Sequence, residues 1–327
     1  MNVNQQEVED ANSSTSALQY TNIDKQYPGV HALEDINLNV EHSTIHGLVG
    51  ENGAGKSTLM KLTSGAEFPS KGMIKIYGNE IHYGNPKQII SQGLALLYQE
   101  VNLINGLSVV DNILLGQTPT NKISVIDRSK SASMCKKILQ ELQIDINLEA
   151  DVEELPLADK RLIQILRSLA QSSRIICLDE PTAALGYQER NNLKKIILQL
   201  KKNKQTVILI SHDLDDVFEI CDNITVMRDG KIVDTKSTLE WNKQLLFKSM
   251  TGKDLQNKKN TSSEAKKDKA LSIKNLSYGK FFQNLNFDLF NNEILGLAGL
   301  TGSGRSEILH CLCGAVKQAK GDIFFNK

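Results

Sequence analysis

The residues with the clearest chemical signal lie in one short segment, GENGAGKST, which covers residues 50–58. Gly50, Gly55, Lys56 and Ser57 stand at the fixed places of the pattern GxxxxGK[ST]. Glycines adopt backbone angles closed to other residues, so successive N–H groups can turn inward and form a nest for oxyanions. In such a nest Lys56 would reach the β- and γ-phosphates, and the Ser57 hydroxyl would ligate Mg²⁺. The alternative is a glycine-rich turn that fits the pattern by accident, and the flanking elements described below favour the phosphate site.

Two acidic residues follow a second apolar run. Ile175 to Leu178 predicts a buried strand, and Asp179 and Glu180 come directly after it. A hard cation prefers oxygen ligands, so Asp179 suits Mg²⁺, and Glu180 could polarise an attacking water. The alternative is an ordinary charged turn after a strand. The adjacent Pro181-Thr182 turn and the upstream loop favour the catalytic interpretation.

Two further polar residues complete the candidate set. His212 follows the apolar run 207–210, and Gln99 follows the run LLY. His212 could contact the γ-phosphate and the water, while Gln99 could complete the Mg²⁺ shell. Taken singly, either residue is more often satisfied by a backbone partner. Only their order along the chain supports a catalytic role.

The elements that must position these residues follow an α/β pattern. Ile45 to Val49 predicts a buried strand before the loop, and a helix follows the loop until Gly65. Strands that alternate with helices imply a parallel sheet whose ligand lies at the carboxyl ends of the strands. The other predicted elements are helices at 131–142, around 162–169 and around 193–200, and an antiparallel sheet from Tyr20 to Val40 (broken at Tyr27-Pro28-Gly29) and Met73 to Tyr83.

Composition limits the classes of function. The 327 residues carry 38 basic and 38 acidic side chains, so no net charge supports a nucleic-acid partner. Five scattered cysteines suit a reducing compartment, with the thiols buried in apolar runs. No apolar run is long enough to span a bilayer, and the polar N-terminus has no signal-peptide core.

The pattern of the first 250 residues begins again near the end of the chain. Residues 253–270 are nearly devoid of large apolar groups and predict a solvated linker. After it come a strand, a turn, a strand, an apolar strand and a second GxxxxG loop, Gly299 to Ser306, with Arg305 in the lysine place. The predicted domains are a disordered lead (1–17), a first domain (18–252, with a helical subdomain at about 100–170), the linker (253–270) and a shortened second domain (271–327).

The order of these motifs closely resembles the ATP-binding cassette superfamily. The resemblance rests on the aromatic turn, the phosphate loop, LLYQE, a signature helix, CLDEPTAAL and LISHD. More narrowly, YPGVHAL, SMTGKDL and NEILGLAGLTGSGRSE resemble the ATPase subunits of bacterial monosaccharide importers, which carry two cassettes on one chain.

This resemblance implies a P-loop NTPase fold with a RecA-like parallel sheet core, an antiparallel β-subdomain and an α-helical subdomain. It implies an ATPase with ATP and Mg²⁺ as cofactors, on the inner face of the membrane. Its partners would be permease subunits, indirectly an extracytoplasmic sugar-binding protein, and a second cassette or second copy. The implied metal ligands are Ser57, Gln99 and Asp179, and the implied catalytic residues are Glu180, His212 and Gln99. The implied nucleotide-binding residues are Tyr27, which would stack on adenine, and Gly50, Glu51, Asn52, Gly53, Ala54, Gly55, Lys56, Ser57 and Thr58.

The chain departs from the family pattern at three places. LPLADK, residues 155–160, replaces the signature, so Pro156 stands where a serine would face the γ-phosphate; we expect an intact helix and a weakened trans contact. Gly186 replaces an aspartate. Arg305 is typical of the second phosphate loop of the importer branch, but its planar guanidinium is a poor substitute for a lysine in a tight cradle. An ATP-binding module with impaired hydrolysis, serving regulation or interaction, therefore stays open as an alternative. A tandem-cassette protein acting on ribosomes is disfavoured by the sequence AALG at 183–186.

Overall fold

The computed structural model describes residues 16–84, 86–98, 100–121, 123–253, 268–299, 302–316 and 318–325. The chain divides into two compact units, Met1–Leu255 and Gln256–Lys327, and each is described by itself. Among the described residues, no helix combines the length and the apolar character that crossing a bilayer requires.

The first unit is built on a six-stranded sheet with the order β10-β9-β3-β8-β7-β6. Neighbouring strands from β9 to β6 are parallel, and β10 pairs antiparallel with β9. This confirms the predicted parallel core. Its strands are β3 (Ile45–Val49), β6 (Leu94–Leu97), β7 (Ile175–Asp179), β8 (Thr206–Ile210), β9 (Asn223–Arg228) and β10 (Lys231–Ser237).

Successive side chains of a strand point to opposite faces of the sheet, and in the central strands β3, β7 and β8 nearly all of them are buried, so both faces are covered there. In β8, Val207 and Leu209 pack into one apolar cluster, whereas Ile208 and Ile210 pack into another. The first cluster lies against helices, and the second joins the antiparallel sheet. The continuous apolar runs of the sequence therefore have a simple cause: no face of these strands meets water.

The second sheet of this unit has the order β2-β1-β4-β5, and its pairs are antiparallel. Its first strand begins at Ser16, so the predicted lead of 1–17 is too long by two residues. Ala17 is fully buried, which explains why the chain is ordered there; residues 1–15 lie outside the described residues. The strands are β1 (Ser16–Tyr27), β2 (Val30–Glu41), β4 (Lys71–Ile76) and β5 (Asn79–Glu80).

The helices of the first unit include all those that the sequence predicts. Three of them, α3 (Val109–Ile113), α4 (Arg128–Leu142) and α5 (Leu157–Ala170), contact one another and share the first apolar cluster. The helices are α1 (Lys56–Thr63), α2 (Pro86–Ser91), α3 (Val109–Ile113), α4 (Arg128–Leu142), α5 (Leu157–Ala170), α6 (Tyr187–Lys202), α7 (Leu214–Ile220) and α8 (Lys243–Thr251).

The second unit contains a three-stranded antiparallel sheet, with β11 (Lys269–Tyr278) between β12 (Phe282–Phe290) and β13 (Lys320–Phe325). One helix, α9 (Arg305–Leu312), precedes β13. The buried apolar cluster of the second unit is small and consists of Leu271, Ile273, Leu276 and Cys311. Since β11 begins at Lys269, the predicted linker ends earlier than residue 270; residues 254–267 lie outside the described residues.

Two expectations for this part of the chain are wrong. The apolar segment 294–298 is not a strand, and Ile294 is fully exposed. The equivalent strand of the first unit, β3, pairs with β8 and β9, and the described residues of the second unit contain no such parallel neighbours. Cys313 is exposed, whereas the other four thiols are buried as expected.

Candidate functional site

The glycine-rich loop connects β3, which ends at Val49, to α1, which begins at Lys56. Gly53 and Gly55 have φ angles of +85° and +100°, in the left-handed region that favours glycine. The Ala54 N–H donates to the Glu51 carbonyl at 3.2 Å, so the segment turns back on itself. The predicted strand, wrapped loop and helix are therefore present in the predicted order.

The Lys56 side chain lies across this loop. Its Nζ donates to the Gly50 carbonyl at 2.7 Å and to the Glu51 carbonyl at 2.9 Å, and the residue is only 8% exposed. Burial lowers the pKa of Lys56, and the carboxylates of Glu180 and Asp179 act in the opposite direction. A buried ammonium held on carbonyl oxygens near two carboxylates is suited to an anionic ligand with an accompanying cation.

The acidic pair reaches the same edge of the sheet from β7. β8 lies between β7 and β3, so the carboxylates come from the second strand away from β3 in the sheet. Burial raises the pKa of Asp179, as does the neighbouring Glu180 carboxylate, and Lys56 lowers it. The Glu180 N–H donates to the Ile210 carbonyl at 2.9 Å, and its φ of +47° is unusual for a residue with a side chain.

Arg161, on α5, supports the turn that begins at Glu180. Its Nη1 donates to the Glu180 carbonyl at 3.0 Å, and its Nη2 donates to the Ala183 carbonyl at 3.1 Å. Burial lowers the pKa of this guanidinium, and Glu180 opposes that shift. Sequence reasoning missed Arg161, because an arginine beside the apolar face of a helix more often extends its charged end to solvent.

His212 meets Glu180 side chain to side chain. His212 Nδ1 lies 2.8 Å from Glu180 Oε1. The alternative for His212, a histidine satisfied only by a backbone partner, therefore does not apply here. Gln99 lies outside the described residues, so its predicted roles stay predictions.

The predicted nucleotide-binding residues line two clefts. The larger set surrounds a cleft of about 650 Å³ that brings Tyr27 together with the loop and both carboxylates. A second cleft, of about 670 Å³, contains Gly50, Glu51 and His212, and the two share Asn52 and Glu180. The first cleft is lined by Tyr27, Val30, His31, Ala32, Asn52, Gly53, Ala54, Gly55, Lys56, Ser57, Thr58, Asp179, Glu180, Ile210, Asp229 and Gly230.

The unusual segment LPLADK starts α5 without distorting it. Pro156 caps the helix, and Leu157 is its first helical residue. The Lys160 Nζ donates back to the Glu153 carbonyl at 2.9 Å. This confirms the expected intact helix. Gly186 likewise caps α6, and its N–H donates to Glu189 Oε2 at 2.9 Å.

A divalent cation in this cleft would need oxygen atoms of a bound phosphate ligand or of water in addition to those of the protein. Within the described ranges, no three His, Cys, Asp or Glu side chains form a group that could hold an ion by themselves. Asp179 and the Ser57 hydroxyl both line the cleft. This oxygen-only donor set fits Mg²⁺, which is usually bound through one or two carboxylates together with phosphates and water.

The sheet order, the wrapped loop and the carboxylates at the strand ends define a P-loop NTPase fold. The family model described as "ABC transporter" matches residues 33–183 and 282–327. The chain therefore belongs to the ABC transporter family.

Individual proteins agree with this assignment. The galactose/methyl galactoside import ATP-binding protein MglA of Clostridium perfringens is 36% identical over 96% of this chain and 61% of its own length. The arabinose import ATP-binding protein AraG of Chromohalobacter salexigens is 36% identical over 95% of this chain and 63% of its own. The chain thus spans about three fifths of the length of the curated relatives it matches.

Among solved structures, cbiO1 from Clostridium perfringens, part of the ABC transporter complex cbiONQ, superposes with a TM-score of 0.62 at 25% identity. The superposition covers 69% of this chain and 90% of cbiO1. It agrees with the cassette fold predicted from the order of the motifs.

Proposed function

We propose that this chain is an ATP-binding subunit of a monosaccharide importer, in which ATP binding and hydrolysis drive uptake through a membrane permease. One observation carries the nucleotide part: Lys56, Asp179 and Glu180 line one cleft with the wrapped loop and Tyr27. The sugar part is supported by the two relatives described above, which are named as galactose and arabinose import proteins.

In this proposal the loop residues Gly50, Glu51, Asn52, Gly53, Ala54 and Gly55, with Lys56, Ser57 and Thr58, bind the phosphates. Backbone amides and the helix N-terminus suit an oxyanion, and the Lys56 ammonium neutralises charge on it. Tyr27, which lines the same cleft, contacts the nucleotide base.

Ser57 and Asp179 would hold Mg²⁺, with Gln99 as the third predicted ligand. When bound, ATP supplies the phosphoanhydride bond that is hydrolysed, and Mg²⁺ neutralises charge on the phosphates. The raised pKa of Asp179, which burial and Glu180 cause, leaves a carboxylate that gains from a neighbouring cation.

Glu180 would orient and polarise the attacking water as a general base. Its carboxylate is hydrogen-bonded to His212, and its backbone is held by Arg161 and by the end of β8. A base fixed from three sides loses little freedom when the reaction occurs, which is the physical basis of preorganised catalysis.

The partners in this proposal are permease subunits, a sugar-binding protein on the far side of the membrane, and a second cassette or second copy that completes the ATP site. The protein would act on the cytoplasmic face of the cell membrane. No nucleic-acid partner is proposed, because the chain has no net charge at pH 7.

Titration calorimetry with Mg²⁺ and ATP tests the nucleotide part. Lys56→Ala should raise the dissociation constant at least 30-fold, because the variant loses the one buried ammonium at the loop. Lys137→Ala, at an exposed position of α4, is the matched control and should bind like the wild type. Equal affinity of all three proteins would overturn the proposal.

The sugar part has its own test. Cells in which this gene is replaced by the Lys56→Ala version should lose uptake of labelled galactose, ribose or arabinose, and the Lys137→Ala version should keep it. Unchanged uptake of all three sugars would reject monosaccharides of this class as the transported substrates.

A further inference from the structure

Tyr27, which lines the cleft, is hydrogen-bonded to a carboxylate in the loop that follows α1. Tyr27, at the end of β1, donates its phenol O–H to Glu67 Oε2. Glu67 lies in the loop after α1, 40 residues further along the chain. Because the two residues belong to different elements, this contact fixes the ring relative to the helix that carries the phosphate loop at its start.

Two lysines hold the Glu67 carboxylate in place. Lys25 Nζ lies 3.1 Å from Glu67 Oε2, and Lys61 Nζ lies 3.7 Å from Glu67 Oε1. The Lys25 ammonium also donates to the Phe68 carbonyl at 2.8 Å and lies 4.8 Å from the centre of the Tyr27 ring. The Lys25 side chain is 13% exposed and that of Glu67 is 27% exposed, so neither is an ordinary surface ion.

The charges of this group reinforce the contact. The hydrogen bond from Tyr27 lowers the pKa of Glu67, and the two lysines lower it further. Burial, the hydrogen bond to Glu67 and the Glu67 charge raise the pKa of Tyr27, and a hydrogen bond with the Thr58 side chain opposes this shift. At neutral pH, Glu67 is therefore an anionic acceptor and Tyr27 a neutral donor, which is the stronger form of such a hydrogen bond.

We infer that Glu67 is a positioning residue for the nucleotide base, acting through the Tyr27 hydroxyl to hold the ring ready for stacking. This inference rests on the proposed function. A free tyrosine samples about three staggered χ1 rotamers. A ring already held in the cleft has less freedom to lose when it stacks on a base.

A role of Glu67 in positioning the base can be distinguished from a general loss of structure, because only the latter would weaken the binding of phosphates alone. Inorganic tripolyphosphate offers the phosphate loop its ligand but offers Tyr27 no base. Loss of the Glu67 contact should therefore weaken ATP binding and leave tripolyphosphate binding unchanged.

The experiment measures Mg²⁺-dependent binding of ATP and of tripolyphosphate by calorimetry for Glu67→Ala, Tyr27→Phe, the double variant and Tyr27→Ala. Each of the first two should weaken ATP binding about three- to tenfold, since each frees the same ring. The double variant should be no weaker than Tyr27→Phe, because Tyr27→Phe has already removed the hydroxyl that donates to Glu67. Tyr27→Ala should lose more, because base stacking itself is removed.

A control variant and the pattern of results distinguish failure of the inference about Glu67 from failure of the proposed function. Glu141→Ala, an exposed glutamate of α4, should bind both ligands like the wild type. If Tyr27→Ala weakens ATP binding but Glu67→Ala and Tyr27→Phe do not, Tyr27 stacks without help and the inference is overturned. If Glu67→Ala weakens both ligands equally, Glu67 supports the loop instead of the base and the inference is again overturned. A wild-type chain that binds neither ligand would reject the proposed function itself.

Discussion

The Nδ1 atom of His212 lies 2.8 Å from Oε1 of Glu180, although 32 residues separate them in the chain. The cause is the pairing of β7 with β8, in which Asp179 stands opposite Ile210. Residues that follow two adjacent parallel strands emerge at the same edge of the sheet. Glu180 and His212 therefore meet because of strand order, and the resulting hydrogen bond orients the carboxylate proposed to act on water.

Neutralising Glu180 should separate binding from turnover. Glu180→Gln keeps the shape of the side chain but removes the base, so phosphate release should fall at least about 100-fold, as for a lost general base. The dissociation constant for Mg²⁺ and ATP should change less than threefold. His212→Ala should reduce kcat, since it removes the hydrogen bond that orients the Glu180 carboxylate. Phosphate release and calorimetry on the same preparations measure both quantities, and turnover that persists in Glu180→Gln would exclude Glu180 as the base.

The two loop glycines should respond differently to a methyl group. A Cβ at Gly55 would lie 2.8 Å from Leu33 Cδ2 and 2.9 Å from the Ala32 carbonyl oxygen, whereas a Cβ at Gly53 would meet no atom within 4 Å. Both have positive φ, so both alanine variants carry backbone strain of about 1 kcal/mol. Gly55→Ala also displaces β2 or α1, so its free energy of unfolding should fall by about 2 kcal/mol more. Urea unfolding checks this, and equal losses for the two variants would contradict the packing described for Gly55.

A buried histidine should make stability depend on pH. His46 is 1% exposed on β3, its Nε2 lies 2.7 Å from Thr225 Oγ1, and burial lowers its pKa from 6.5 to about 4. Well above pH 6.5 the ring is neutral in the folded protein and in the unfolded chain. Between pH 6.5 and pH 4 the unfolded chain binds a proton at this ring, whereas the folded protein does not. Stability is therefore lost as pH falls, by about 2 kcal/mol at pH 5.

The comparison for that prediction is His46→Gln, which cannot titrate. Between pH 7.5 and pH 5, urea unfolding of the wild type should lose about 2 kcal/mol more than the variant does. Carboxylates titrate equally in both proteins, so the difference isolates His46. Parallel losses would mean that the ring is protonated in the folded protein as readily as in the unfolded chain.

Local patterns predicted most of the elements correctly. The strand before the loop, the helix after it and the apolar helices follow from spacing alone, because hydrogen bonds within a helix and burial on a strand leave a local periodic trace. The predictions that were wrong concern features that depend on contacts between distant parts of the chain. Residues 294–298 have the composition of a buried strand, yet they are not one, because a strand needs partners that its own sequence does not encode.

The sequence by itself determined which residues can do chemistry here: a glycine-rich loop ending in Lys56 and Ser57, and an acidic pair closing an apolar strand. Only the tertiary structure decided how they are held. In the folded protein β8 lies between β3 and β7, and His212 is hydrogen-bonded to Glu180. Arg161 donates to the Glu180 carbonyl, and Tyr27 donates to Glu67. Each of these contacts links residues from different elements, so it depends on strand order and helix placement, which no local spacing records.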